Sequence, residues 1–182
     1  MCGSYCTYET VLSEAEKLCK DYELTPLMSE NSAATDSRFG KAKDFKARLE
    51  AMTGKPVLTC ISEAEPIGPK KMLDALVIAP CTGNTLAKLA AGVTDTTVTM
   101  AAKAQLRNER PVVLALATND GLAGNAANLG VLLARRYIYF VPFRQDDPSG
   151  KTRSLMADFS RIAETVEAAM EGRQLQPILL QQ

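Results

Sequence analysis

The sequence predicts a three-layer α/β/α fold in which helices cover both faces of a Rossmann-like, doubly wound parallel sheet. Two apolar runs, Leu73–Ala79 and Pro111–Ala117, lack polar alternation, which is typical of strands covered on both faces. Helical segments separate these runs from each other and from a further strand at Tyr137–Pro142. With 182 residues, of which 46% are hydrophobic, residues 1–182 are expected to form a single domain around one core.

The amino-terminal half is predicted to alternate helices with short strands, because apolar residues recur at helical spacing in two segments. The predicted elements are a helix over Thr7–Tyr22 with Thr7 as its cap, a strand over Glu23–Met28, a loop over Ser29–Asp36, a helix over Lys41–Met52 that stops at Gly54, and a strand over Val57–Cys60. The chain opens with Met1-Cys2-Gly3-Ser4, a sequence typical of a turn that follows a strand. We therefore expect the first strand to be truncated.

The carboxyl-terminal half continues the alternation with four predicted helices. They cover Leu86–Gly92, Thr96–Glu109 with Asp95 as its cap, Ala126–Arg135, and a last segment in which Leu155, Phe159, Ile162, Val166 and Met170 keep helical spacing.

Composition excludes several classes of function. The 21 basic and 21 acidic residues cancel, which disfavours binding to nucleic acid or an anionic membrane. No apolar run approaches the roughly 20 residues of a membrane span and no export signal is visible, so a cytoplasmic location is expected. Five scattered cysteines suit reduced thiols, and no metal site is predicted. Without histidine the chain cannot form a serine–histidine or cysteine–histidine catalytic pair.

Three polar turns follow predicted or implied strands, and each has the chemistry to hold an anion. They are Gly3-Ser4, Ser29-Glu30-Asn31-Ser32 and Thr82-Gly83-Asn84-Thr85. Glycine permits close backbone approach, hydroxyls donate to phosphate oxygens, and the following helix presents free N–H groups. Each turn alone is weak evidence. An ordinary capped helix start is the simpler interpretation of Gly3-Ser4, whereas Thr82–Thr85 is equally compatible with a connecting loop and Thr118-Asn119-Asp120-Gly121 with a simple turn.

Charged residues offer further candidates with simpler alternatives. Asp146-Asp147 could form a carboxylate pair, but Pro148 and Gly150 favour a solvated turn. Arg38 could bind an acidic substrate or form a surface ion pair, and Lys70-Lys71 is expected to be solvated.

Six stretches of the chain occur together in one known family. They are GSYCTYE, DSRFG, AEPIGPKKMLDALVIAPCTGNTLAKLAAGVTD, MAAKAQLRNERPVVLALATND, FVPFRQDDP and QLQPIL. In order and spacing they resemble the B subunits of dipicolinate synthases, over essentially the whole chain. The Ala79–Thr85 segment also looks like the Pro-Ala-Ser-Ala-Asn-Thr turn of the wider flavoprotein superfamily, which includes phosphopantothenoylcysteine decarboxylase and flavin prenyltransferase.

The resemblance implies a flavoprotein-type fold and a site for flavin mononucleotide (FMN). By matching positions, Gly3, Ser4 and Ser29 would hold the phosphate, and Thr82, Gly83, Asn84 and Thr85 would lie against the flavin ring. Asn119 matches the asparagine in the Pro-x-Met-Asn segment of the decarboxylases, and Asp95 matches an aspartate that closes the helix after the ring turn. The histidine of the decarboxylases has no counterpart, which makes decarboxylation by their route improbable.

The resemblance also implies an activity and partners. Dipicolinate synthase is a two-subunit oxidoreductase that makes pyridine-2,6-dicarboxylate during sporulation, and activity would require its dehydrogenase-like A subunit, which carries any NAD(P). The carboxylates of the small dicarboxylate substrate would pair with Arg38, Lys70 or Arg144. The candidates for catalytic residues are Arg38, Asn119 and Arg144. A homo-oligomer is expected by analogy. The alternative is a noncatalytic partner that stabilises or activates the A subunit.

Overall fold

Five strands form one mixed sheet in the computed structural model, which describes residues 1–181. The strands are β1 (Leu76–Cys81), β2 (Val112–Thr118), β3 (Ile138–Phe140), β4 (Phe143–Asp147) and β5 (Lys151–Ala157). The helices are α1 (Tyr8–Leu18), α2 (Glu30–Ala34), α3 (Ala42–Thr53), α4 (Ile61–Ala64), α5 (Gly83–Ala91), α6 (Thr97–Arg107), α7 (Ala126–Leu133) and α8 (Ile162–Met170), with short 3-10 turns at Tyr5–Thr7, Glu65–Ile67 and Phe159–Arg161. The predicted α/β class is confirmed.

The centre of the sheet is parallel, as the sequence predicts. β2 lies between β1 and β3 and pairs with both in parallel, and all seven of its residues are buried. Helices α5, α6 and α7 pack together against these strands, while α1 and α8 contact β1 and β2 respectively. The continuous apolar run of β2 therefore reflects cover on both faces.

The sheet departs from the prediction after β3. β4 and β5 form an antiparallel hairpin, and β5 also pairs antiparallel with the carboxyl end of β2 through Ala117 and Thr118. Leu155 belongs to β5 and Phe159 to a 3-10 turn, so the helical spacing assigned to them is wrong and the last helix begins only at Ile162. Because polar and charged residues fill the tip of this hairpin, the sequence there lacks the apolar pattern that predicts a strand.

The predicted amino-terminal strands are reduced to isolated pairs. Leu27 forms a parallel bridge with Leu58, and no longer ladder joins these segments within residues 1–181. Met1 extends the pattern, because its amine donates to the Leu27 carbonyl at 2.7 Å and its carbonyl accepts from the Ser29 N–H at 3.0 Å. These two bonds have the geometry of a parallel ladder.

Helix boundaries correct several other predictions. The expected loop at Ser29–Asp36 contains α2, and α5 begins at Gly83, inside the segment predicted as a turn. Thr96 caps α6, whereas Asp95 pairs with Lys88 instead. Gly54 ends α3 with φ 67°, as predicted. None of the helices within residues 1–181 is long and apolar enough to cross a membrane.

Candidate functional site at the carboxyl edge of the sheet

Four polar turns lie side by side at the carboxyl edge of the sheet. We call them the first turn (Gly3–Ser4), the second turn (Ser29–Ser32), the third turn (Thr82–Thr85) and the fourth turn (Thr118–Asn125). The Met1 carbonyl bonds the second turn at the Ser29 N–H, and the Thr85 hydroxyl approaches Cys2 Sγ at 3.3 Å. The structure thus brings together turns that lie far apart in the sequence, at the edge where open α/β sheets bind ligands.

The third turn is the start of α5, and its hydroxyl groups are used internally. Thr82 caps the helix by accepting from the Thr85 N–H at 3.4 Å, and its hydroxyl donates to Thr85 Oγ1 at 3.2 Å. Thr85 is buried, whereas the Asn84 side chain is exposed and takes part in none of the side-chain hydrogen bonds of residues 1–181. Of the four predicted residues here, Asn84 is the one whose side chain is free for a ligand.

Gly83 packs tightly against the fourth turn. A Cβ built on Gly83 would lie 2.6 Å from Asn125 Nδ2 and 2.7 Å from both Asp120 Oδ1 and Thr118 Oγ1. Such distances are too short for any side chain without displacement of these groups. Glycine is therefore required for the third turn to approach the end of β2.

The first and second turns are more open. The Ser4 hydroxyl lies 3.9 Å from Cys6 Sγ and caps no backbone N–H, and a Cβ on Gly3 would make only ordinary contacts at 3.6 Å. Ser29 caps α2 by accepting from the Ser32 N–H at 3.3 Å and shares a 2.8 Å hydroxyl contact with Ser32. Ser4 is consequently the freer of the two predicted hydroxyls.

Two titratable groups are buried beneath these turns. Burial lowers the pKa of the Met1 amine from its ordinary value of 8.0. Burial also raises the pKa of the Cys81 thiol well above 9.0, so Cys81 stays protonated at neutral pH. Because the thiolate is the nucleophilic form, Cys81 acts as a packing residue.

The donor set suits an anionic ligand that carries a planar polar ring. The start of α5 presents N–H groups without intrahelical partners, a half-buried hydroxyl stands at Ser4, and an exposed amide stands at Asn84. The contacts of Gly83 hold the start of α5 against the fourth turn at this edge. A phosphate and a flavin ring both fit this chemistry.

The candidate catalytic residues are all exposed, but they lie on different elements. Asn119 lies in the fourth turn, Arg144 on β4, and Arg38 in the turn before α3 with its guanidinium carbon 4.8 Å from the Phe39 ring centroid. No hydrogen bond or ion pair within residues 1–181 joins these three side chains. Asn119 thus belongs to one of the four turns, whereas Arg38 and Arg144 lie on elements outside them.

Other charged candidates lie away from the turns. The Lys71 carbonyl and the Leu73 carbonyl both accept from Arg110, which places Lys70-Lys71 at the amino edge of the sheet. Asp147 accepts from the Ser149 and Gly150 N–H groups, and Asp146 pairs with Lys151, so the solvated-turn interpretation is confirmed.

Sequence reasoning missed Asp120, Asn125 and Arg153. Asp120 looked like part of a simple Asn-Asp-Gly turn, yet its carboxylate accepts from Thr118 and from Asn125 at 2.7 Å. Arg153 donates to the Leu122 carbonyl at 3.3 Å from a strand that was not predicted. For Asp120, the signal available in the sequence was an acidic side chain in a turn directly after a buried strand.

Comparison with known proteins agrees with this architecture. Residues 2–169 match the family model described as Flavoprotein. The chain is 45% identical over 180 residues to the B subunit of dipicolinate synthase from Bacillus subtilis (strain 168), covering 98% of this chain and 90% of that protein. The crystal structure of the dipicolinate synthase B subunit from Bacillus halodurans C superposes with a TM-score of 0.90 at 42% identity, covering 99% of this chain and 93% of that chain.

More distant structures share the fold. The FMN-dependent cysteine decarboxylase SpaF matches with a TM-score of 0.69 at 22% identity, covering 94% of this chain and 93% of that chain. DmrB of Burkholderia xenovorans, a cubic cage solved in complex with FMN, matches with a TM-score of 0.60 at 19% identity, covering 76% of this chain and 83% of that chain.

Proposed function

Because the chain belongs to the flavoprotein family, and within it to the dipicolinate synthase B subunits, we propose that it is an FMN-binding subunit of that enzyme. Together with the A subunit it would oxidise a dihydrodipicolinate-stage intermediate to dipicolinate in the cytoplasm. The observation that supports FMN binding is the meeting of the first, second and third turns at one sheet edge.

The contacts within the turns support a division of roles among the residues that we propose for the cofactor. The Ser4 hydroxyl, which stands in the first turn with Gly3 and beside the second turn with Ser29, suits the phosphate, and Asn84 suits a polar edge of the ring. Thr82, Gly83 and Thr85 would act through shape, because their polar groups are already bonded or buried. Bound flavin would supply a two-electron acceptor for an oxidation.

The substrate would be held by this chain's own cations and amides. Two carboxylates on a planar ring suit arginine, whose guanidinium binds them in a bidentate manner. Arg38 and Arg144 are exposed cations with no ion pair among residues 1–181, and Asn119 projects from the fourth turn. If alanine at Arg38 and at Arg144 left the activity of the reconstituted enzyme unchanged, this substrate role would be wrong.

A noncatalytic role has an observation in its favour. The Thr82 and Thr85 hydroxyls satisfy each other and Cys2 Sγ, and the chain has no histidine, so the third turn is complete without a ligand. In that case the chain would bind the A subunit, which would carry the chemistry together with NAD(P). Self-association is also proposed, since relatives include a dodecameric FMN-dependent decarboxylase from Escherichia coli O157:H7.

An absorption spectrum separates the two functions. The purified chain is mixed with FMN, passed through gel filtration, and scanned for retained flavin bands. Retention by the wild-type chain, with loss in Asn84→Ala and Ser4→Ala but not in the exposed control Lys103→Ala, is the expected result. A colourless chain that still restores activity to the A subunit would contradict FMN binding and favour the noncatalytic role.

A further inference from the structure

A carboxylate cluster lies directly behind the third turn. We define it as Thr118, Asp120 and Asn125. The Thr118 hydroxyl donates to Asp120 Oδ1, and Asn125 Nδ2 donates to Asp120 Oδ2 at 2.7 Å. Thr118 is 8% exposed and Asn125 is 7% exposed, so each donor depends on Asp120 for its hydrogen bond in a site with little access to water.

The same cluster forms the surface on which Gly83 rests. All three of its side chains lie within 2.6–2.7 Å of the position that a Gly83 Cβ would take. The cluster thus sets how closely α5 approaches the end of β2. Asn128 Nδ2 donates to Asn125 Oδ1 at 2.9 Å and extends the hydrogen bonds into α7.

The charge of Asp120 is placed between two helix starts. α5 begins at Gly83, and Asn125 is the N-cap residue of α7. Helix N-termini carry partial positive charge and stabilise a nearby carboxylate. The Thr118 and Asn125 donors and the two helix starts therefore stabilise the half-buried Asp120 carboxylate, although the side chains that contact it are neutral.

Exposed amides flank the cluster on both sides. Asn119 directly precedes Asp120 and Asn84 directly follows Gly83, and both side chains are exposed. The cluster is fixed from behind by Ser154, whose hydroxyl donates to the Thr118 carbonyl at 3.1 Å. A change in the cluster would therefore displace both amides relative to each other.

We propose that Asp120 is a positioning residue that holds the third turn and Asn119 in the arrangement that receives the ligand. The role in ligand binding depends on the proposed function, but the effect on the third turn does not. Asp120 acts through Gly83 on one side and through the backbone of Asn119 on the other. Removal of its hydrogen-bonding oxygens would loosen the third turn even when no ligand is present.

Two substitutions separate geometry from charge. Asp120→Leu keeps a branched side chain and leaves the Thr118 hydroxyl and the Asn125 amide without a partner. Asp120→Asn can keep both contacts, because its oxygen can accept from Asn125 while its NH₂ group donates to the Thr118 hydroxyl. Rescue by asparagine would thus identify hydrogen bonding, and not charge, as the positioning interaction.

Hydrogen exchange of the Thr85 and Leu86 amides in the full chain without FMN gives the main readout. These amides bond Thr82 Oγ1 at 3.4 Å and the Thr82 carbonyl at 2.9 Å, so they report opening of the third turn. We expect exchange about tenfold or more faster in Asp120→Leu and within about twofold of wild type in Asp120→Asn. Equal exchange in wild type and Asp120→Leu would overturn the proposal.

Further variants keep the test decisive. If Asp120→Leu does not fold, Thr118→Val removes a single donor and is expected to speed exchange about threefold; no change in that variant would also overturn the proposal. FMN affinity is then measured on the same proteins, with weaker binding expected in Asp120→Leu and binding like that of wild type in Asp120→Asn. A wild-type chain that binds no FMN contradicts the proposed function, whereas faster exchange in Asp120→Leu would still support the positioning role.

Discussion

The first and third turns have similar compositions but differ in how their polar groups are used. In the third turn, Gly83 and Thr85 are buried, and the Thr82 and Thr85 hydroxyls bond each other and Cys2. In the first turn, the Ser4 hydroxyl has a sulfur contact at 3.9 Å as its only partner among residues 1–181, and a side chain at Gly3 would fit. Small polar residues after a strand can therefore build the shape of a site or contact its ligand, and their composition does not distinguish these roles.

The largest effect is expected from Gly83→Ala. The added Cβ would push against three side chains that are bonded to each other, so we expect a loss of about 1–3 kcal/mol in the free energy of unfolding, together with loss of FMN binding. Urea unfolding measures the first and flavin retention the second.

Gly130→Ala provides the matched control. Gly130 is an exposed glycine inside α7, and apart from its chain neighbours and the backbone of its own helix no heavy atom of residues 1–181 lies within 4 Å of its Cβ position. Alanine there should raise the free energy of unfolding by up to about 1 kcal/mol, because glycine is a weak helix former. Similar losses in both variants would mean that the Gly83 contact is not the cause.

Removal of a single hydroxyl group should affect stability differently in the first and third turns. Thr85→Val deletes a buried donor to Cys2 Sγ and should lower the free energy of unfolding by about 1 kcal/mol, as measured by urea unfolding. Ser4→Ala deletes a hydroxyl whose only partner in the described part of the chain is the Cys6 sulfur, so it should change the free energy of unfolding by less than about 0.5 kcal/mol while weakening FMN binding. The reverse ranking in stability would contradict the roles assigned to the two turns.

A separate effect on stability is expected from pH. Burial lowers the pKa of the Met1 amine below 8.0, so the unfolded chain binds a proton more readily and stability should fall as pH drops below 8. Burial raises the pKa of Cys81 above 9.0, so the unfolded chain loses its proton first and stability should fall as pH rises above 9. Each contributes at most about 1.4 kcal/mol per pH unit.

Urea unfolding between pH 6 and pH 10 measures this dependence, with a maximum expected between pH 8 and pH 9. Cys81→Ala should weaken the decline at high pH and leave the decline at low pH unchanged. If the free energy of unfolding rose from pH 8 to pH 6, burial of the Met1 amine would not destabilise the folded chain at the lower pH, and this prediction would be wrong.

The sequence predicts the parallel core well because burial on both faces produces unbroken apolar runs, as in Val112–Thr118. It fails for the hairpin at residues 143–157, since charged residues at its tip obscure the alternation and Leu155 falls by chance at helical spacing with Ile162. The positions of the turns can also be predicted, since they lie where the predicted strands end. The role of Asp120 cannot be predicted from the sequence, because it depends on a contact with Gly83 that only the three-dimensional structure reveals.

The tight packing around Gly83 also limits how this site can change during evolution. Every substitution at Gly83 adds at least a Cβ, and substitutions at Thr82 or Thr85 remove hydroxyls that stabilise the helix start. Asn84 alone in the third turn carries an exposed side chain outside this packing. Mutational drift in the third turn is thereby confined to Asn84, and a descendant protein could acquire a different ligand preference through that position without loss of the fold.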